Sequence, residues 1–278
     1  MPELPEVETV CRGLSKTMTG EKIMRVETLR GNLRIPFPQR LPDIAGKKVL
    51  NITRRAKYIL INLDSHDTLI IHLGMSGRMV THAKKQPREK HDHMVITMKG
   101  GTEIVFNDAR RFGMVDLART HELPQHKFFA HLGPEPLDRN FSAAYLLDRL
   151  KDKKIAIKLA IMDQQLVVGV GNIYASEALY CAAVDPTRPA NSLKKAEITK
   201  LVECIRLVLK ASIKAGGSSL RDYVQADGEL GYFQHSFKVY DRKGEACSRC
   251  TCNVGKTGGI LKITQGARST FYCPRKQK

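Results

Sequence analysis

Apolar positions change their period several times along this chain. In residues 5–18, Val7, Val10, Cys11 and Leu14 fall at helical spacing and Gly20 follows soon after, which predicts one amphipathic helix. From about 45 to 118 the period drops to two. Residues 58–63 and 68–73 read as strands joined at Ser65-His66-Asp67, and 94–98 and 103–106 as a second pair joined at Gly100-Gly101. Short strands separated by turn signals predict a β-sandwich or barrel. Residues 84–93 (KKQPREKHDH) read as an exposed polar loop. Residues 120–141 carry Pro124, Gly133, Pro134 and Pro136 without periodicity and predict a hinge. Helical spacing then returns near 142–151, 153–166 and 173–181, and in a long helix near 193–214 with Leu201, Cys204, Ile205, Val208 and Leu209 as its stripe. Gly216-Gly217 ends that helix, and residues 237–278 break into short strands and turns.

Composition narrows what such a chain does. Its 278 residues suffice for one large or two medium domains, each with its own core. Lys and Arg number 46 against 28 Asp and Glu, a net charge of +18. That lies far above the magnitude of about 2–8 suited to a small domain and points to a polyanionic partner, nucleic acid first. No apolar run reaches membrane-spanning length and the start lacks the regions of a signal peptide, so the expectation is an intracellular protein. Of seven cysteines, Cys11, Cys181 and Cys204 sit singly in apolar, helix-like settings and read as buried thiols. Cys247, Cys250, Cys252 and Cys273 crowd the end of the chain and read as metal ligands in a reducing compartment.

Four stretches carry candidate chemistry. The chain opens Met1-Pro2-Glu3-Leu4-Pro5-Glu6. With Met1 removed, Pro2 is a free secondary amine with a pKa near 8 against about 10.4 for lysine, nucleophilic near neutrality. Glu3 beside it is placed to shuttle protons. The same residues also spell an ordinary helix start, with proline and acids in the first turn. In 165–177, Gly169 and Gly171 form a turn into a helix whose first N–H groups, with Asn172 at the cap, read either as a phosphate cradle or as a plain helical hairpin. Arg110-Arg111-Phe112-Gly113 puts two cations and an aromatic at the end of a hairpin, and Met75 ends a neighbouring strand. Arginine with an apolar wedge suits insertion into a duplex, although Met75 and Phe112 taken singly read as core. Cys247 and Cys250 have the spacing of one zinc knuckle, and 22 residues separate Cys250 from Cys273. Residues 240–278 hold nine Lys and Arg against Asp241 and Glu245, a face for phosphate with or without metal.

Taken in order, these segments resemble the formamidopyrimidine-DNA glycosylase family along nearly the whole chain: PELPEVETV at 2–10, RRAKYIL at 54–60, HLGMSG at 72–77, RRFG at 110–113, VGVGNIYASEAL at 168–179 and the cysteine ribbon. The resemblance implies an α+β protein of two domains, an N-terminal β-sandwich bearing the first helix and a helical helix–two-turn–helix domain with a zinc-finger ribbon. The boundaries expected are 1–132, 133–236 and 237–278. It implies a cytoplasmic, nucleoid-associated bacterial monomer that binds damaged double-stranded DNA and flips the lesion out. Pro2 is then the Schiff-base nucleophile and Glu3 the proton carrier, with Glu6 and Lys57 as supporting site residues. Met75, Arg111 and Phe112 fill the vacated space; His72, Asn172 and Arg268 grip phosphates; the loop at 217–224, with Tyr223, closes over the base. Lys276 departs from the family pattern, standing where the last zinc cysteine is expected. The expected zinc ligands are therefore Cys247, Cys250 and Cys273, with Cys252 completing the set. The rival readings are an endonuclease VIII-like enzyme for oxidised pyrimidines and a catalytically silent DNA-binding zinc protein, which needs neither Pro2 nor Glu3.

Overall fold

The computed structural model describes residues 2–218, 226, 231–251 and 253–278. They form two compact units, Met1–His131 with Ser212–Gln234, and Leu132–Ala211 with His235–Lys278.

The first unit begins with α1 (Leu4–Met18), whose Pro5 lies in the first turn. Eight strands follow: β1 (Ile23–Thr28), β2 (Val49–Arg55), β3 (Tyr58–Leu63), β4 (Asp67–His72), β5 (Arg78–His82), β6 (Asp92–Met98), β7 (Glu103–Asn107) and β8 (Met114–Arg119). They make two four-stranded antiparallel sheets, ordered β1-β6-β7-β5 and β2-β3-β4-β8. The two expected hairpins form with Tyr58 opposite His72 and Thr97 opposite Glu103. Ile59, Ile61, Leu69 and Ile71 of one sheet and Met79, Met94, Ile96, Ile104 and Phe106 of the other share a core with Val7, Val10, Leu14 and Met18 of α1. Alternation puts one face of each strand into this core, which is why a period of two produces a sandwich. Ala226 joins the core, and its carbonyl accepts the Thr81 N–H of edge strand β5 at 2.8 Å.

Two expectations for this unit change. The segment 23–28 is a strand although the sequence reading passed over it. The polar loop after β5 ends at His91, because Asp92 and His93 enter β6 and His93 is buried.

The second unit holds α2 (Ala143–Leu150), α3 (Ile157–Met162), α4 (Asn172–Ala182) and most of α5 (Lys195–Lys214). A one-turn α6 (Val254–Thr257) precedes the hairpin of β9 (Leu261–Gln265) and β10 (Arg268–Tyr272). The helix expected over 153–166 is only α3. Its front is drawn into extended pairing instead: the Ile157 N–H donates to Arg188 O and the Ala190 N–H to Ile155 O, both at 2.8 Å. Its end is cut by Gln164, whose side chain donates to Met162 O at 3.0 Å and Val170 O at 3.1 Å and accepts the Gly169 N–H at 2.8 Å. That one amide shapes the turn from α3 into α4.

Cys181 and Cys204 are not separate thiols. They form a disulfide between α4 and α5, their Cα atoms 5.7 Å apart. A separation of 23 residues in sequence hides a proximity that only the packing of the two helices creates. Cys11 is a buried thiol as expected, and burial pushes its pKa up.

Candidate active site and nucleic-acid interface

Pro2, Glu3, Glu6 and Lys57 are all buried. Glu6 organises the start of α1. Its Oε2 accepts the Glu3 N–H at 2.9 Å, and the Glu3 side chain accepts the N–H of Glu6, a reciprocal capping box. The other oxygen, Oε1, accepts both the N–H and the Oγ–H of Ser218, at 2.9 and 3.0 Å. One buried carboxylate thus holds the backbone beside Pro2 and the start of the 217–224 segment. Ser218 was not singled out from the sequence, where nothing marks a serine 212 residues away as a partner of Glu6. Tyr223 lies outside the described residues.

Lys57 sits in the tight turn between β2 and β3, where Ala56 adopts φ +53°. Its positive charge acts on His72, at the end of β4. Burial first, then Lys57 and Arg34, push the His72 pKa down to about 4. Its Nδ1 accepts the Gly74 N–H at 3.0 Å, so the neutral ring carries its proton on Nε2. The ring also packs on Tyr58, with centroids 4.8 Å apart. An unfolded histidine protonates near the ordinary value of 6.5, whereas the folded one resists until about 4. The unfolded state therefore binds more protons in that window, and this contribution to stability is lost as pH falls from 6.5 toward 4. Melting curves across that range should fall more steeply for the wild type than for His72→Gln; equal slopes would refute the assignment.

Met75 and Phe112 are not core residues. They are 36% and 43% exposed on two adjacent loops, and the Arg110 guanidinium lies 4.9 Å from the Phe112 ring centre. Arg111, between them in sequence, is exposed and adopts φ +59°. Gly74 also has positive φ, +65°, and a Cβ there would collide with the backbone of Phe112 and Gly113. Glycine at 74 is what lets the two loops touch.

In the second unit the N-cap of α4 is Gly171, and Asn172 is the first helical residue rather than the cap. Its side-chain amide is engaged across the fold: Oδ1 accepts from Lys158 Nζ at 2.6 Å, and Nδ2 donates to Ser269 O at 2.9 Å and Tyr240 OH at 3.4 Å. Lys158 is fully buried and also donates to Thr270 Oγ1 at 2.7 Å and Ser269 O at 3.1 Å. Asn172 and Lys158 together hold the hairpin next to exposed Arg268. Lys158 had no signal in sequence beyond being a cation in an apolar helix.

Cys247, Cys250 and Cys273 bring their sulfurs within 4.8 Å of one another, and the Cys250–Cys273 separation is 3.6 Å. Thiolates bound to one zinc at about 2.3 Å stand roughly 3.8 Å apart, so three corners of a tetrahedral site fit. Cys252 lies outside the described residues. Lys276 is turned to other work: its Nζ donates to the Tyr180 carbonyl at 2.6 Å and lies 3.4 Å from that ring's centre.

The profile of the formamidopyrimidine-DNA glycosylase N-terminal domain matches residues 1–115, and that of the family's H2TH domain matches residues 132–224. The chain belongs to the formamidopyrimidine-DNA glycosylase family. A formamidopyrimidine-DNA glycosylase of Dinoroseobacter shibae is 49% identical to it over 288 aligned positions, covering 100% of both chains. Wild-type Lactococcus lactis Fpg (MutM) in complex with N7-benzyl-Fapy-dG DNA is 35% identical, with a TM-score of 0.90 and 100% of both chains covered. The same enzyme in complex with an oxidised-pyrimidine DNA is 34% identical, also at 0.90 and 100% of both chains. The family's two-domain α+β architecture agrees with the sandwich, helices and ribbon described above.

Proposed function

We propose that this protein is a base-excision-repair DNA glycosylase with associated abasic-site lyase activity, acting as a single chain on damaged double-stranded DNA. The observation that carries this reading is the buried Pro2-Glu3 pair held by the Glu6 capping box at the positive end of α1. The helix dipole there disfavours the protonated form of the Pro2 amine. The Pro2 nitrogen attacks C1′ of the damaged nucleotide, the N-glycosidic bond breaks, and the base leaves with a proton. Opening of the sugar gives an iminium, with Glu3 passing the protons. β-Elimination then releases the 3′ phosphate and δ-elimination the 5′ phosphate. Lys57 and the Nε2–H of His72 face phosphate near this centre, Met75, Arg111 and Phe112 fill the space left by the extruded base, and Asn172 and Arg268 grip the backbone.

Oxidised purines, 8-oxoguanine and formamidopyrimidines, are the substrates this reading favours. The Lactococcus relative bound to an oxidised pyrimidine keeps that lesion class in play. Borohydride traps the iminium and separates the readings: strong adduct on 8-oxoguanine duplex, weaker on oxidised pyrimidine, and none for a silent binder. Among the described residues no helix is long and apolar enough to cross a membrane; the bacterial relatives support work on chromosomal DNA in the cytoplasm.

One zinc ion held by Cys247, Cys250 and Cys273, with Cys252 as fourth ligand, completes the reading. The ion supplies no chemistry to the reaction; it braces the ribbon that carries Arg268. Elemental analysis of freshly purified protein should find one zinc per chain, reduced by Cys252→Ser. Metal-free protein with an intact ribbon would end the proposal.

A further inference from the structure

Asp108 follows β7 directly and is completely buried. Its Oδ1 accepts from Ser76 Oγ at 2.5 Å and from the Arg110 N–H at 3.2 Å, and its Oδ2 accepts the Gly113 N–H at 2.8 Å. The Arg110 N–H also reaches Ser76 Oγ, at 3.1 Å. The Asp108 carbonyl accepts from His93 Nε2 at 2.7 Å and from the Arg111 N–H at 3.2 Å, and its own N–H donates to His91 O at 3.0 Å. One residue therefore ties the loop carrying Met75, through Ser76, to the loop carrying Arg111 and Phe112, through Arg110 and Gly113. It also pins both to the start of β6.

A buried carboxylate costs several kcal/mol of desolvation, and a neutral residue fills the same volume more cheaply. What a carboxylate supplies is three acceptor bonds at once, in a fixed plane. Without them two loops that each expose a large apolar side chain would have to be ordered when those side chains are used. We propose that Asp108 is a positioning residue that locks Met75 and the Arg111–Phe112 pair into one preformed wedge, so that they enter the duplex as a unit. This rests on the reading of those three residues as the space-filling group.

Asp108→Asn is nearly isosteric, yet its amide accepts on one side only: with its oxygen toward Ser76 and Arg110 the Gly113 N–H is stranded, and with its oxygen toward Gly113 an N–H group faces the Arg110 N–H. The test is stopped-flow fluorescence of 2-aminopurine placed opposite a tetrahydrofuran abasic analogue in duplex DNA, which reports filling of the gap. In Asp108→Asn the filling rate should fall about ten- to hundredfold, the factor implied by one unsatisfied buried donor. Cleavage of a preformed abasic site in single-stranded DNA, which needs no wedge, should fall less than about threefold. Ser76→Ala unties the Met75 loop while Asp108 keeps its own bonds to the Arg110 and Gly113 N–H groups; it should slow filling by about tenfold or less and stays informative if Asp108→Asn misfolds. Phe112→Ala should slow filling more than Asp108→Asn does, and the Asp108→Asn/Phe112→Ala double variant should be no slower than Phe112→Ala alone. Wild-type filling rates in Asp108→Asn and Ser76→Ala, or multiplicative effects in the double variant, would overturn the role of Asp108 alone. An unchanged signal in Phe112→Ala would overturn the wedge itself, and the role of Asp108 with it.

Discussion

Pro2→Gly protein, with Met1 removed, should lose the borohydride-trapped adduct on 8-oxoguanine duplex by roughly a hundredfold or more. Glycine keeps a terminal amine of similar basicity, so the loss is one of placement. Proline's ring fixes φ and holds the nitrogen beside Glu3, whereas glycine gives the terminus conformational freedom. Glu3→Gln separates position from proton transfer. It leaves the amine in place but removes a group that carries protons, and excision should drop about 10²–10⁴-fold. Gel analysis of trapped complexes, with mass spectrometry of the amino terminus, checks both. Full turnover by protein that retains Met1 would remove the amine from the mechanism.

Glu177→Ala should destabilise the second unit by about 3–5 kcal/mol. Glu177 is 3% exposed on α4, and its Oε1 accepts the N–H groups of Lys238, Val239 and Tyr240 at 3.1, 2.9 and 2.9 Å, with a further contact from Lys238 to Oε2 at 2.9 Å. Alanine strands three backbone donors inside the protein, each a cost of about 1–3 kcal/mol. The consequence reaches function through Tyr240, whose hydroxyl meets Asn172, which in turn holds Ser269 beside Arg268. Hydrogen exchange over 238–278 should rise and DNA affinity fall together, and Glu177→Gln, which keeps one acceptor oxygen, should lose less of both. Unchanged exchange in Glu177→Ala would show that this carboxylate does not anchor the segment.

Periodicity and local chemistry were enough to foresee antiparallel strands in the first unit, helices in the second and short strands at the end of the chain. A strand declares itself by alternation and a turn by Gly100-Gly101 or Ser65-His66-Asp67, all within a few residues. The RRFG and HLGMSG motifs were visible for the same reason. Their surroundings were not, since Met75 and Phe112 taken singly read as core, and only the fold shows both exposed on adjacent loops. The length of α3 was misjudged because pairing of residues 155–157 with 188–190 overrode a good helical pattern.

The amino-acid order by itself determined the types and sequence of most elements, the cationic character and the chemical nature of the amino terminus. These depend on residue identity and short-range spacing alone. The tertiary structure alone decided that Glu6 meets Ser218, Lys158 meets Asn172, Asp108 meets Ser76 and Cys181 meets Cys204. Each of those pairs joins distant parts of the chain, and a buried polar group takes its partner from whatever packing brings within about 3 Å. No local pattern encodes that choice.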